Sequence, residues 1–504
     1  MADNSNLIVA ALERTDPQLA ASIDAGNAWQ NAIKKRGARV ALYRDYERGD
    51  HRADITTEMK KMLRINSDDA ELTDFNDNYC KVVVDKMAGR LFVSNIAVDE
   101  NAQDVREWLT DLLDYQDFDA QQSDWYRGAV RDGDSFIMVD SQTMRWVSEP
   151  AYDGFDGLVV IFDSITRKAL WACKLWSQAD TSDISGDDTS YSVVMKLVVY
   201  QPGVISHWKG QEGGTEISAD NQYIGDGNEF VNYEPFPLDR LPIVQFANQK
   251  DNYTNYGESE LRPAIPLQDV LNRTLHSMVM ASELSAFRQY YSIGMKIDAD
   301  AIVPGAIHNL VPFEVENAIS DEQIEYMKAI RVGQFEASDI SQYTNQVDKV
   351  VQQISQSTQT PIYGVTTQGN LSGEALKQLE IGLLGKIERF QHQNTDAIRE
   401  LIQLTAEMQN AFENDLEFSV PAQVDNVKVI WKPAEILDVN ARITTLTALR
   451  EKAPGLFTDE FYIKRIGTLI GMSQDDINTE IEKARNQQGL AFDLFTAANA
   501  EQAA

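Results

Sequence analysis

Two acidic pairs, Asp132/Asp134 and Asp68/Asp69, are the groups in this chain whose type and spacing could hold a divalent cation. Carboxylates so arranged bind Mg²⁺ in enzymes that act on phosphates, where the metal activates water and neutralises developing charge. In a chain with 78 acidic residues such pairs also arise by chance. The five histidines, His51, His207, His276, His308 and His392, stand apart, and none has a partner at the i, i+4 spacing of a helical zinc site. No phosphate-cradling G-x-x-x-x-G-K-[ST], no G-x-G-x-x-G between strand and helix and no G-x-S-x-G elbow occurs. The acidic stretch ADTSDISGDDTS lacks the closing Glu of a Ca²⁺ loop and reads as a polar loop. A metal-dependent enzyme acting on nucleic acid or another phosphorylated substrate is therefore the alternative reading, and no cofactor is expected.

A second chemistry is uncharged. On a helix expected over 338–358, Gln342, Gln346, Lys349, Gln353 and Gln356 recur at spacings of four and three and share one face. Ile340, Val347, Val351 and Ile354 form an apolar stripe on another. Beyond Pro361, which stops the helix, the loop TPIYGVTTQGNL offers Thr366, Thr367, Gln368 and Asn370, hydrogen-bonding groups without fixed charge.

The elements that must carry these residues follow from pattern and composition. At 504 residues the chain needs several subdomains, and 43% apolar with 24% charged residues is ordinary for a folded protein. A net charge of −33 is not ordinary. A protein that grips DNA along its backbone carries a basic stripe, because affinity comes from releasing counterions. Cys80 and Cys173 lie far apart, which argues for a reducing compartment. The N-terminus has no basic region before its short apolar stretch, and no apolar run approaches the ~18 residues that cross a bilayer, so a soluble protein made in the cytoplasm, without a membrane partner, is expected.

The first hundred residues read as mostly helical, including a run that ends at Gly49 and NDNYCKVVVDKMAGRLF, with Tyr79, Val82, Val83, Met87 and Leu91 on one face and Gly89 as its stop. Trp108, Leu109, Leu112 and Leu113 mark another helix. From Asp134 the runs SFIMVD, GLVVIFD, ALWACKLW, SYSVVMKLVVY and PIVQFAN predict one antiparallel sheet with exposed turns. Pro263 and Pro266 set the start of the next helix near Leu267, with Leu271, Leu275, Met278 and Leu284 as its stripe. IGMKIDADAIVPGAIHNLVPF is a strand-like insert. Ser372 is an N-cap candidate for a helix that runs from Glu374 to Phe412, roughly 57 Å long at about 1.5 Å per residue, with Gly382 and Gly385 allowing a bend. VDNVKVIW is a further strand, and the remainder is helical up to a small polar tail that reads as disordered.

In order and spacing these segments resemble the portal proteins of tailed bacteriophages, the SPP1-type portal family. YRDYERGDH and NDNYCKVVVDKMAGRLF are similar to the family's early segment and the helix after it. RGAVRDGDSFIMVD resembles the family's passage from helix into the wing sheet. LPIVQFANQKDNYTNYGESELRPAIPLQDVLN carries the strongest likeness, and STQTPIYGVTTQGNLSGEALK resembles its tunnel-loop region.

The resemblance implies an α+β portal fold, mostly helical, with an antiparallel wing sheet, a long spine helix and two stem helices. Residues 1–256 would hold N-terminal helices and the wing sheet, the sheet itself over Asp134 to Asn248. The first stem helix would take 257–287, the clip 288–334 and the second stem helix 335–358. The tunnel loop would be 359–371, the spine helix and its strand 372–437, and the crown helices and tail 438–504. Pro263 and Pro266 depart from the family pattern by shortening the first stem helix. The implied protein is not an enzyme. It is a ring of about twelve copies, a closed assembly in which each subunit buries a different face on each neighbour. The ring sits at one capsid vertex of the virion, and double-stranded DNA passes through it during packaging and ejection. Implied partners are the large terminase subunit, the major capsid and scaffold proteins and a head–tail adaptor. Gln342, Gln346, Lys349, Gln353, Gln356, Thr366, Thr367, Gln368 and Asn370 would line the DNA tunnel, where a surface uncharged apart from Lys349 lets DNA slide without releasing counterions at each step.

With no phosphate-cradling loop, the purified chain is expected to hydrolyse neither ATP nor DNA. Mg²⁺-dependent turnover that follows the purified protein and is lost in Asp132→Ala or Asp134→Ala would establish the enzyme reading instead.

Overall fold

A computed structural model of the chain describes residues 4–15, 26–51, 76–98, 103–163, 165–180, 192–210, 217–219, 233–251, 253–286, 290–293, 331–334, 340–362, 373–412, 420–421, 424, 427–435, 439–452, 458–470, 477 and 479–484. The chain divides into two compact units, Met1–Lys432 and Pro433–Ala504. The larger unit begins with helices α1 (Ser5–Thr15), α2 (Gly26–Arg48) and α3 (Tyr79–Ala88), then strand β1 (Val93–Ala97), α4 (Gln103–Tyr115) and α5 (Phe118–Asp132). Nine strands follow: β2 (Asp134–Val139), β3 (Trp146–Pro150), β4 (Gly157–Phe162), β5 (Ala169–Asp180), β6 (Ser192–Gln201), β7 (Val204–Gly210), β8 (Ile217–Ala219), β9 (Tyr233–Pro235) and β10 (Ile243–Ala247). Helix α6 (Ile265–Ala286), strands β11 (Tyr290–Ile293) and β12 (Arg331–Gln334), helices α7 (Ser341–Ser357) and α8 (Gly373–Phe412) and strand β13 (Lys428–Trp431) complete it. The smaller unit contains α9 (Val439–Lys452) and α10 (Asp459–Ile470), which pack together with Arg450 2.6 Å from Asp459.

The strands between Asp134 and Ala247 form two sheets, not the single one expected from sequence. β2 lies between β3 and β10, with Ile137 opposite both Val244 and Ser148. The other strands run in the order β4-β5-β6-β7-β8, with β9 also on β7. The larger sheet is thus an excursion of the chain between β3 and β10. All these runs share the same apolar, β-branched composition, so nothing local tells which strand returns to pair with the first. Glu149 on β3, in an ion pair with Lys174 on β5, ties the sheets together. Burial pushes the Glu149 carboxyl up and the Lys174 charge opposes that.

Period-two alternation decides what the large sheet buries. Trp171, Cys173 and Leu175 on β5 point the same way as Val159 and Ile161 on β4 and Leu197 and Val199 on β6. Leu7, Ile8, Ala11 and Leu12 of α1 close this face. A second core forms around α5, whose Phe118, Gln122, Trp125, Tyr126, Ala129 and Val130 recur at helical spacing and are buried. The Trp125 ring centroid lies 5.7 to 5.9 Å from those of Phe118, Trp146 and Phe246, and Tyr126 packs against Phe390 and Trp431. These rings fasten α8 over β10 and β2.

Other expectations are met with local shifts. α3 buries Cys80, Val83, Val84 and Met87, so its inward face is rotated from the one read in the sequence, which had included Val82. β1 was read as part of a helical region; it is a strand because β13 supplies an antiparallel partner, with Ile96 opposite Val429. α6 starts two residues before Leu267 and takes Pro266 into its first turn, where a missing N–H leaves no bond unmade. Of the insert 288–334 only its two ends, β11 and β12, are described, and they pair antiparallel. The loop ADTSDISGDDTS beyond Asp180, Asp68/Asp69 and the C-terminal tail lie outside the described residues.

Trp125 is completely buried between three other rings, whereas Leu42 on α2 is largely exposed. Trp125→Ala is expected to destabilise the larger unit by about 3–5 kcal/mol and Leu42→Ala by no more than about 0.5 kcal/mol. Denaturant titrations of the two variants check this, and equal losses would contradict the core described.

Candidate nucleic-acid interface and its anchoring junction

α7 packs on α6 through Val350, Val351 and Ile354, which are buried, while Ile340 and Val347 are half-buried. Gln342, Gln346, Lys349, Gln353 and Gln356 are all exposed, as the helical spacing required. Gln352, Thr344 and Asn345 join them, a width the sequence reading had missed. Every exposed side chain on α7 is uncharged except Lys349, and its single acid, Asp348, is half-buried. In a chain with 78 acidic residues, this leaves a helix face with no exposed carboxylate.

The C-terminus of α7 is held firmly. Thr358 Oγ1 donates to the Ile354 carbonyl at 2.7 Å, Ser355 Oγ donates to the Thr360 carbonyl at 2.7 Å, and Thr360 N–H returns to the Ser355 carbonyl at 3.0 Å. Gln359 ends the helix in the left-handed region, φ +51°, two residues before Pro361. That conformation is uncommon for a side chain larger than glycine. Its Cβ meets α8 at Gly382, where an added Cβ would stand 3.1 Å away, so Gly382 serves as the seat for Gln359. α8 is one helix through both glycines expected to bend it. Thr366, Thr367, Gln368, Asn370 and the expected N-cap Ser372 lie outside the described residues.

The Gly-Glu-Ser-Glu turn before α6 builds the junction beneath this point. Gly257 passes so near the backbone of Gly133 that a Cβ on it would fall 2.6 Å from the Asn248 carbonyl oxygen and closer still to that of Gly133. Gly257 N–H donates to Asp134 Oδ1 at 2.9 Å, and Glu258 N–H donates to the Asn248 carbonyl at 2.8 Å. Ser259 Oγ donates to the Arg131 carbonyl, and Glu260 N–H to that of Val130 at 3.1 Å. The Glu260 carboxylate, 2% exposed, accepts from Asn248 Nδ2 at 3.1 Å and from Gln249, and pairs with Lys386 of α8. Lys386 Nζ also donates to the Thr358 carbonyl at 2.6 Å. One ammonium thus joins the turn before α6, the end of α7 and the body of α8, beside a polar pocket of about 560 Å³.

Downstream, Gln268 and Asn272 lie one turn apart on the buried side of α6. Gln268 accepts from Tyr79 N–H at 3.0 Å and donates to the Asp77 carbonyl at 2.6 Å, so α6 satisfies the N-terminus of α3. Asn272 meets His51 Nε2 at 3.0 Å, and His51 stacks on Tyr46. Nothing in the local sequence signals the bonds of Gln268 and Asn272, which join positions some 190 residues apart or more.

The acids proposed as cation ligands are otherwise engaged. Asp132 accepts from Arg44 at 3.1 and 3.2 Å and from Arg131 at 2.8 and 2.9 Å. Burial alone would lower the Arg131 pKa, but Asp132 and Glu47 outweigh it and hold the guanidinium above its usual value. Asp134, 1% exposed, pairs with Arg36 and accepts from Gln245 and Gly257. A metal would have to displace these guanidinium groups. His207 lies 3.5 Å from Glu234, His276 is buried, His392 is exposed, and His308 lies outside the described residues. Among the described residues no group of three or more His, Cys, Asp or Glu is placed to hold a metal, and no helix is long and apolar enough to cross a membrane.

The family model described as phage portal protein, SPP1 Gp6-like, matches residues 39–488. The portal protein of Mycobacterium phage L5 is 21% identical over 442 residues, 86% of this chain and 82% of that protein. That of Mycobacterium phage D29 is 23% identical over 260 residues, 51% of this chain and about half, 52%, of the relative. A solved structure described as the neck of an empty GTA particle computed with C6 symmetry contains a chain at TM-score 0.37 and 12% identity, covering 78% of this chain and 88% of that one. At that TM-score the likeness carries no argument.

Lys386→Met would leave the Glu260 carboxylate buried beside two amides only. The variant is expected to lose about 3–5 kcal/mol of stability, and adding Glu260→Gln to recover part of it, as for a buried ion pair. A double-mutant cycle in denaturant measures the coupling, and additive losses would show that the junction is not held by this pair.

Proposed function

The chain belongs to the SPP1 Gp6-like family of phage portal proteins, and from that premise we propose that it is the ring at one capsid vertex through which double-stranded DNA is packaged and ejected. Portal proteins of phages are virion components, and in this reading the protein acts structurally rather than as an enzyme. About twelve copies close the ring. The terminase large subunit docks on it during packaging, the head–tail adaptor afterwards, and capsid and scaffold proteins surround it during assembly.

In this arrangement α6 and α7 are the stem helices, the insert between them the clip, 359–371 the tunnel loop, α8 the spine, the two sheets the wing, and the helices after about Asn440 the crown. Gln342, Gln346, Lys349, Gln353 and Gln356 face the tunnel, and Thr366, Thr367, Gln368 and Asn370 extend the lining into the loop. The observation that carries the reading is the exposed face of α7. A lining of carboxylates would repel phosphates and a lining of lysines would hold them, whereas amides bond transiently without displacing counterions. The junction at Lys386 supports it from below, since Thr358 and Gln359, where the loop begins, are tied to the spine helix and cannot follow passing DNA.

Gln346→Glu with Gln353→Glu adds about two dozen carboxylates to such a ring without touching a buried residue. Rings should still assemble, while DNA packaged per particle should fall by about an order of magnitude. Deleting Val365 to Asn370 should likewise spare assembly and impair packaging or retention. DNA content of purified particles measures both, and wild-type filling with both variants would reject the tunnel assignment.

A further inference from the structure

Gln268 and Asn272 on α6 and His51 just beyond α2 are all buried, and the hydrogen bonds among them can run in one direction only. Gln268 Oε1 accepts from Tyr79 N–H at 3.0 Å, and Gln268 Nε2 donates to the Asp77 carbonyl at 2.6 Å. Backbone groups cannot exchange donor for acceptor, so this amide cannot be turned over. Asn272 Oδ1 in turn accepts from Asp77 N–H and from Gln268 Nε2, both at 3.2 Å. Asn272 Nδ2 is left to face His51 Nε2 at 3.0 Å, and a donor there requires the imidazole nitrogen to accept. Three backbone groups, two on Asp77 and one on Tyr79, thus fix His51 as the neutral tautomer with its proton on Nδ1.

The charges around the ring pull the other way. Asp45 and Asp50 from its own stretch and Asp269 from α6 attract a proton to it, as does the Asp45 carbonyl. Tyr46 stacks on His51 with ring centroids 4.1 Å apart and donates its hydroxyl to Asp269. From the side of α3, Asp77 is exposed and turns its carboxylate to Asn78 N–H at 2.9 Å. Cys80 on α3 also feels Asp269, and burial pushes its thiol up to about 12, so it stays neutral. Burial of His51 outweighs the three carboxylates and lowers its pKa. Among the described residues its Nδ1, also buried, makes no full hydrogen bond. The ring is therefore held neutral by burial and by one oriented amide, against acids placed to receive it once charged.

We propose that His51 is a proton-sensitive clasp: a proton taken from solvent on Nε2 sets two donors against each other at Asn272, the imidazolium turns toward Asp45, Asp50 and Asp269, and α2 is released from α6 and the start of α3. Asn272 cannot follow by turning its amide over, because Asp77 N–H and Gln268 Nε2 would then lose their acceptor in a buried site. The joint seats the helix that the portal reading makes the first stem helix, but the clasp is a property of the fold and does not rest on that reading. A histidine whose folded pKa lies below its unfolded value of about 6.5 contributes stability that is complete above that pH. The contribution is lost as pH falls from there toward the folded value.

Exchange of the imidazole C2 hydrogen, read by mass spectrometry on the full-length chain, follows each histidine separately, and His51 is expected to titrate below about 6.5. His51→Gln keeps an amide oxygen for Asn272 Nδ2 and cannot titrate. Below about pH 6.5 the ratio of folded to unfolded wild type should fall, relative to this variant, by up to about tenfold per pH unit. Backbone amide exchange at Tyr79 and across 268–273 should quicken in the wild type over the same range and not in the variant. A His51 that titrates at or above about 6.5, or a wild type and a His51→Gln variant with the same pH dependence, would overturn the clasp. Should His51→Gln fail to fold, the titration of His51 in the wild type decides alone.

Discussion

Where Gly133 and Gly257 pass each other, two backbones come closer than any side chain would allow, and the larger unit is arranged around that contact. Through it the end of α5, the start of β2 and the turn before α6 share one set of hydrogen bonds. A methyl group between them would separate the Asp134, Arg131 and Val130 acceptors from their donors together. Because Glu260 is carried on the same turn, its pairing with Lys386 passes the placement on to α8 and, through the Thr358 carbonyl, to α7. Three long helices are thus referenced to a single point, in addition to the apolar packing of α7 on α6.

Charge is distributed unevenly around this frame. Arg36, Arg44, Arg127 and Arg131 turn inward and meet Asp134, Asp132, Asp153, Glu47 and Asp85, several of them buried. The planar guanidinium can meet two acceptors at once, which suits such packed networks better than an ammonium would. These cations and the acids they meet nearly cancel one another, so almost all of the net charge of −33 falls on the rest of the chain. The exposed face of α7 is an exception that follows from choice of residue type, glutamine and small hydroxyls in place of glutamate, and not from neutralisation by neighbours.

Elements whose formation depends on neighbours a few residues away were legible in the sequence. The 40-residue helix Gly373–Phe412, the helix before Pro361 and the strand runs after Asp134 were read to within a few residues, because apolar periodicity and proline act locally. The same periodicity placed Gln342, Gln346, Lys349, Gln353 and Gln356 together on an exposed face, since a helix of any tertiary fate brings positions four and three apart into line. The order of segments along the chain was sufficient to identify the family, which the match over residues 39–488 bears out.

What the sequence could not decide is everything that depends on which distant segment arrives. One sheet became two because β10 returns to β2 across a hundred intervening residues, and β1 became a strand because β13 came to meet it. Gln268 and Asn272 read as ordinary helix residues until Tyr79 at the start of α3, and Asp77 just before it, presented their N–H groups to them. Gly382 was read as a place to bend and is instead the space that admits Gln359. By itself the sequence determined the local elements, the polarity of their faces and the family. Only the tertiary structure decided partners, because burial and hydrogen bonding between remote residues depend on the path of the whole chain and leave no periodic trace in either segment.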